Sequence, residues 1–337
     1  MTGMLAMAAS CSVIDDDLSD CPPDNEQQHR LDYELRLMTN ISTELQTVLT
    51  TEAEQAVAQA LRTHLATIFT DQAHDVDLSF YDTQGDSARL HHDTHIMDAN
   101  QTSYTLNLPV HHYMHLATAN IVDNAAVALR SDDRCHPARL QQVSGDTVQS
   151  HDTGLFTARL PMTVEEGISQ QFDVTLYMAN CAVALVVDTV GSGISDMQVF
   201  TTGFASAFSI ADSAYHYAAK APIVKTQAVE THSGHQSFCS VNFPSKGKRT
   251  RIVIEAPDEF AATQADNSLW ELHAYARAAD GTTTETVLHA NTPLLPGQLK
   301  VITAKAHPDA TITTTDQTVA VSVTLDWHPG GHYTPDL

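Results

Sequence analysis

Basic residues are scarce in this chain. Only 17 Lys and Arg stand against 41 Asp and Glu across 337 residues, a formal charge of −24. Such a field repels phosphate backbones and argues against nucleic acid as a partner. It offers nothing to anionic lipid headgroups, so any membrane attachment has to come from a covalent lipid. Long apolar runs are missing as well. The longest, from Leu176 to Val187, is broken by Asn180 and falls short of the roughly 20 residues that a spanning helix needs. Tryptophan is limited to Trp270 and Trp327. Both fall in strand patterns, which favours core packing over exposed sugar platforms. Recognisable catalytic motifs are also absent. There is no G-x-S-x-G elbow, and the GSG at 191–193 lacks the Lys and helix of a phosphate loop. The sequence therefore points away from an enzyme, and no cofactor or metal is expected.

The five cysteines are Cys11, Cys21, Cys135, Cys181 and Cys239. Cys11 is set apart by its surroundings. The run before it, MTGMLAMAAS, is uncharged and ends in small residues, and the acidic SVIDDDLSDCPPD follows. A short apolar stretch ending in small residues reads as an export signal. With cysteine next, it resembles a bacterial lipobox, in which Cys11 takes a lipid and becomes the new N-terminus. No Lys or Arg precedes Arg30. Either the true start lies upstream of Met1 or the segment is only a disordered leader. With Cys11 lipidated, Cys21, Cys135, Cys181 and Cys239 are candidates for two disulfides, in any of about three pairings. Cys181 and Cys239 sit in apolar strand patterns and can equally be buried thiols.

Residues 1–28 read as a signal remnant and an acidic linker. Alternation then takes over, with Leu31, Tyr33, Leu35 and Leu37 opposite Asp32, Glu34 and Arg36, the pattern of a half-buried strand. One helix is expected at about 51–69. Thr51 and Glu54 fit a capping box, and Ala53, Val57, Leu61, Leu65 and Ile68 form one apolar stripe. Short strand patterns separated by turn residues fill the rest and predict β-sandwiches. Val319, Val321, Val323, Leu325 and Trp327 alternate most cleanly. This last strand either closes its own sandwich or is available to a neighbouring subunit. Two domains are expected, 29–168 and 169–337, with a boundary in the polar stretch 161–171. A short echo between 106–119 and 293–306 suggests that they are related.

Nineteen histidines invite a metal site. His91, His92 and His95 share their spacing with His111, His112 and His115. On strands, neighbouring residues point to opposite faces, so the reading is solvent-facing histidines without the three or four convergent ligands that zinc needs.

Taken together, CSVIDDDLSDCP (11–22), LDYELRLMTN (31–40), DVDLSFYDTQGD (75–86), YTLNLPVHHYMHLATANI (104–121) and VAVSVTLDWHPGG (319–331) give the chain a family look. It resembles the fimbrillin-associated anchor lipoproteins of anaerobic bacteria that build lipoprotein-derived, type V fimbriae. The resemblance implies two tandem transthyretin-like antiparallel β-sandwich domains. It implies attachment to the outer membrane through a lipid on Cys11, with Asp15, Asp16 and Asp17 as a surface-export signal. It further implies fimbrial shaft subunits as partners, and roles in anchoring the shaft and limiting its length. Two other classes stay open: a surface glycan-binding lipoprotein and, less favoured, a metal-dependent enzyme.

Overall fold

The computed structural model describes residues 28–38, 52–69, 73–96, 103–122, 124–145, 147–232, 234–245 and 268–324. The expected linker and Thr51 of the capping box lie outside them, as does the Glu54 side chain. The described residues are mainly β, with one helix.

The first sheet has seven strands in the order β3 (Arg89–Ile96), β2 (Asp75–Asp82), β5 (His111–Ala119), β9 (Phe156–Val164), β10 (Gln170–Met178), β1 (Gln28–Met38) and β4 (Ser103–Pro109). Between β9 and β10 the pairing is confined to Tyr177↔Thr157 and Met178↔Phe156, far from their connecting turn. The two strands diverge toward that turn, and the sheet opens into layers of four and three strands. Leu31, Leu106, Leu108 and Leu176 of the smaller layer share one core with Val76, Leu78, Phe80 and Met162 of the larger. Period-two alternation supplies that face.

Helix α1 (Glu52–Ile68) buries Val57, Leu61, Leu65 and Ile68 in the same core. Its last turn is held closely. The Gly154 amide donates to the Ile68 carbonyl at 2.7 Å, and a Cβ at Gly154 would meet the Phe69 ring at 2.9 Å. On its other side α1 packs on β16 (Gln227–His232) and β17 (His235–Asn242). These begin a five-stranded sheet that continues with β11 (Cys181–Asp188), β20 (Leu299–Ala306) and β21 (Ile312–Thr314).

Strand β11 explains the long apolar run. Ala182, Ala184 and Val186 face the first core, while Cys181, Val183, Leu185 and Val187 face a second. A strand covered on both faces loses polar alternation. The second core is closed by a six-stranded sheet: β22 (Val319–Thr324), β19 (Thr283–Ala290), β18 (Trp270–Arg277), β12 (Asp196–Thr202), β15 (Ile223–Lys225) and β8 (Thr147–Gln149). A small sheet of β14 (Ala214–His216), β13 (Ala207–Ser209), β7 (Arg139–Gln142) and β6 (Val127–Arg130) brings Leu140 and Phe208 into a third cluster with Tyr81 and Leu116 of the first sheet.

The boundary expected at 168/169 is displaced. Pro161–Val164 continues β9, and β10 pairs in parallel with β1 in the first sheet. The chain crosses at Asn180, whose side chain accepts from the Leu155 amide at 3.3 Å and donates to the Thr153 carbonyl at 2.9 Å. The halves also exchange strands, since β8 pairs with β15 and β7 with β13. The echo between 106–119 and 293–306 has no structural counterpart. Strand β5 is antiparallel to both neighbours, whereas β20 runs parallel to β11. The recurring feature is a parallel pair between an opening and a late strand, β1 with β10 and β11 with β20.

Candidate functional site

The C-terminal strand lies at the end of the six-stranded sheet. β22 pairs antiparallel with β19, placing Val319 opposite Ala290, Val321 opposite Leu288 and Val323 opposite Thr286. Among the described residues it has a sheet partner on one side only. The alternation left open whether this strand closes its own sandwich or is available to a neighbouring subunit, and its face is buried at one end only. Val319 is 8% exposed, but Val321 and Val323 are 38% and 42% exposed. The neighbouring β21 is only three residues long, so the cover runs out after Val319. Leu325 and Trp327 lie outside the described residues.

On the opposite face of β18 and β19 lies a buried polar network that the sequence reading missed. His273 donates from Nδ1 to Glu285 Oε1 at 2.9 Å and from Nε2 to Glu271 Oε2 at 3.1 Å. His289 Nδ1 donates to Glu271 Oε1 at 2.9 Å, and the Tyr275 hydroxyl donates to Glu285 Oε1 at 2.8 Å. Burial opposes the charge on His273, but the hydrogen bonds and fields of the two glutamates outweigh it and raise its pKa to about 9. For Glu271, burial is likewise outweighed by His273 and His289, which hold it at about 2. The network ties β18 to β19, the strand on which β22 rests. Its only trace in the sequence is Glu271, His273, Glu285 and His289 at alternate positions, a pattern indistinguishable from a solvated face.

The histidine clusters disperse. His92 donates to Asp77 at 2.7 Å and His111 to Asp82 at 2.9 Å, while His112 Nδ1 shares a hydrogen bond with the Thr163 hydroxyl at 2.9 Å. His115 is buried, and His91 packs on Phe80. The His95 side chain lies outside the described set. Among the described residues, no three His, Cys, Asp or Glu are grouped to hold a metal.

The disulfide expectation fails for three of its four cysteines. Cys135, Cys181 and Cys239 are free and buried. Cys239 faces the first core, Cys181 the second and Cys135 the third cluster, so none meets another. Burial raises the Cys181 and Cys239 pKa values, leaving inert thiols. Trp270 is a core residue whose indole donates to the Thr292 carbonyl at 3.0 Å. Cys11, Asp15, Asp16, Asp17 and Cys21 lie outside the described residues.

Stacked sheets closing on shared apolar cores define the described residues as a β-sandwich protein. The model of the family described as fimbrillin-A associated anchor proteins Mfa1 and Mfa2 matches residues 42–235. The chain belongs to this family and is a fimbria-associated surface protein. A proposed polysaccharide-binding protein from Bacteroides thetaiotaomicron has a similar fold, with a TM-score of 0.51 at 11% identity over 86% of this chain and 97% of that chain. The fimbrial anchor protein Mfa2 from Porphyromonas gingivalis gives a TM-score of 0.47 at 11% identity, over 88% of this chain and 99% of that one. A proposed adhesin from Bacteroides ovatus gives 0.48 at 13% identity, over 85% and 87%. No curated protein matches the chain.

Proposed function

We propose that this protein is the lipid-held anchor of a fimbrium, attached to the outer membrane through Cys11 and joined to shaft subunits along a sheet edge. The observation that carries the reading is β22. In a member of an anchor family, the strand at the end of a sheet exposes Val321 and Val323 on its sandwich face. An incoming strand gains affinity from main-chain hydrogen bonds and register from side-chain pockets at alternate positions. An exposed apolar edge is a hazard for aggregation unless something covers it, and a subunit strand covers it.

The remaining parts follow from the N-terminal sequence. Several acyl chains on one cysteine hold a protein stably, where a single chain holds marginally. Asp15, Asp16 and Asp17 then serve as the signal for surface display. A subunit fixed in the membrane that offers one edge starts or ends a polymer, which links anchoring to length control. No step in this role needs a catalytic group.

The test is affinity purification of the full-length protein from native outer membranes. Co-purification of a fimbrial shaft subunit, lost in Val321→Lys/Val323→Lys, supports the reading. Membranes that yield no shaft subunit with the wild-type protein overturn it.

A further inference from the structure

A groove of about 570 Å³ opens on the outer face of β9 and β10, against the β13–β14 hairpin and Pro296. Tyr177 pairs with Thr157. Period-two geometry puts Thr175 and Asp173 on the same face of β10, and Arg159 on that face of β9. The Tyr177 side chain is 63% exposed. The far wall is firm, because Tyr215 packs on Phe208 at 4.7 Å and donates its hydroxyl to the Ala179 carbonyl at 2.8 Å. The volume lies within the range of small-molecule sites.

The lining restricts the occupant. Arg159 supplies only donors, Asp173 supplies acceptors, and the threonine hydroxyls supply both. An anionic ligand is opposed by Asp173 and by the −24 charge of the chain. A purely apolar ligand would strip water from Arg159 and Asp173 with nothing in return. A ligand with one apolar ring face and many neutral hydroxyls meets every requirement. We propose that this groove binds a neutral saccharide, with a pyranose face against the Tyr177 ring and hydroxyls shared between Arg159 and Asp173. This function is additional to anchoring and does not depend on it.

The test titrates the full-length protein with cello-, xylo- and manno-oligosaccharides, with oligogalacturonate as the acidic control, using calorimetry and saturation-transfer NMR. The expected result is saturable binding of a neutral oligosaccharide. Tyr177→Ala should weaken it about tenfold or more, and Tyr177→Phe should keep it within about threefold because the ring face remains. Both variants should melt like the wild-type protein, since the side chain is exposed. No binding of any neutral oligosaccharide by the wild-type protein overturns the proposal, as does preference for oligogalacturonate or indifference to Tyr177→Ala. Loss of the shaft subunit from Tyr177→Ala in membrane pull-downs, with saccharide binding unchanged, assigns the groove to a protein contact instead and also overturns it.

Discussion

The Tyr33 hydroxyl donates to Nε2 of His115 at 2.5 Å, joining the two layers of the first sandwich across 82 residues of sequence. The other ring nitrogen, Nδ1, donates to the Ser79 carbonyl at 3.1 Å, and the ring stacks on Phe80 at 4.2 Å. Both nitrogens are therefore satisfied with the imidazole neutral. The bond links β1 to β5 although three strand pairings separate them along the sheet. Tyr33→Phe leaves a buried acceptor unpaired and should cost about 1–3 kcal/mol, read from the midpoint of urea unfolding. An unchanged midpoint would show that the bond contributes nothing to stability.

Acid should weaken the fold through the same histidine. Burial lowers His115 to about 4 and His151 to about 3, below the ordinary 6.5 of the unfolded chain. As pH falls from about 6.5, the unfolded state takes up protons that the folded state refuses, so stability drops until pH reaches the folded values. Thermal melts between pH 7 and 4 should show a shallower fall in a His151→Phe variant than in the wild-type protein.

The network on β18 has the opposite sign. The pKa of His273 is raised to about 9, so its contribution is complete below about 6.5 and is lost as pH rises through 9. Glu271, held at about 2, contributes above its unfolded value near 4.5 and loses that contribution as pH falls toward 2. The two together are fully favourable between about 4.5 and 6.5. Removing one partner with His273→Ala should cost about 3–5 kcal/mol by stranding the glutamates. It should also flatten the wild-type loss of melting temperature between pH 6.5 and 9.

Gly203 holds a φ of +95°, and a Cβ there would meet the Trp270 Cα at 2.6 Å. Backbone against backbone leaves no flexible atom to yield. Gly203→Ala should destabilise by about 1–3 kcal/mol from strain alone, with a further loss if β12 and β18 separate. Circular dichroism melts would measure it.

Two substitutions divide attachment from assembly. Cys11→Ala should move the protein from membranes to soluble fractions and abolish labelling by a fatty-acid analogue. Val321→Lys with Val323→Lys should leave the melting transition within about 1 kcal/mol of wild type, because both side chains are already partly in water, while losing the shaft subunit. Deleting residues 318–337 is the harsher comparison. It removes the buried Val319 and should unfold part of the second sandwich.

The sequence alone determined the elements whose signal is local. The stripe from Val57 to Ile68 specifies α1 because each turn of a helix repeats the same face. Leu31 and Tyr33 specify β1 in the same way at period two. Family likeness was also legible, since it rests on the order of such segments along the chain. What only the tertiary structure decided is what each face meets. Alternation in 319–324 cannot say that cover ends after Val319, and the cysteine count cannot say that Cys181 and Cys239 look into different cores. The spacing of Glu271, His273, Glu285 and His289 reads as a wet surface until β18 and β19 pair and bury it. Strand β10 joins the first sheet through a parallel partner about 140 residues away, and the stretch before it carries no mark of that pairing. Periodicity is a property of neighbours in sequence, whereas burial, pairing and protonation are properties of neighbours in space.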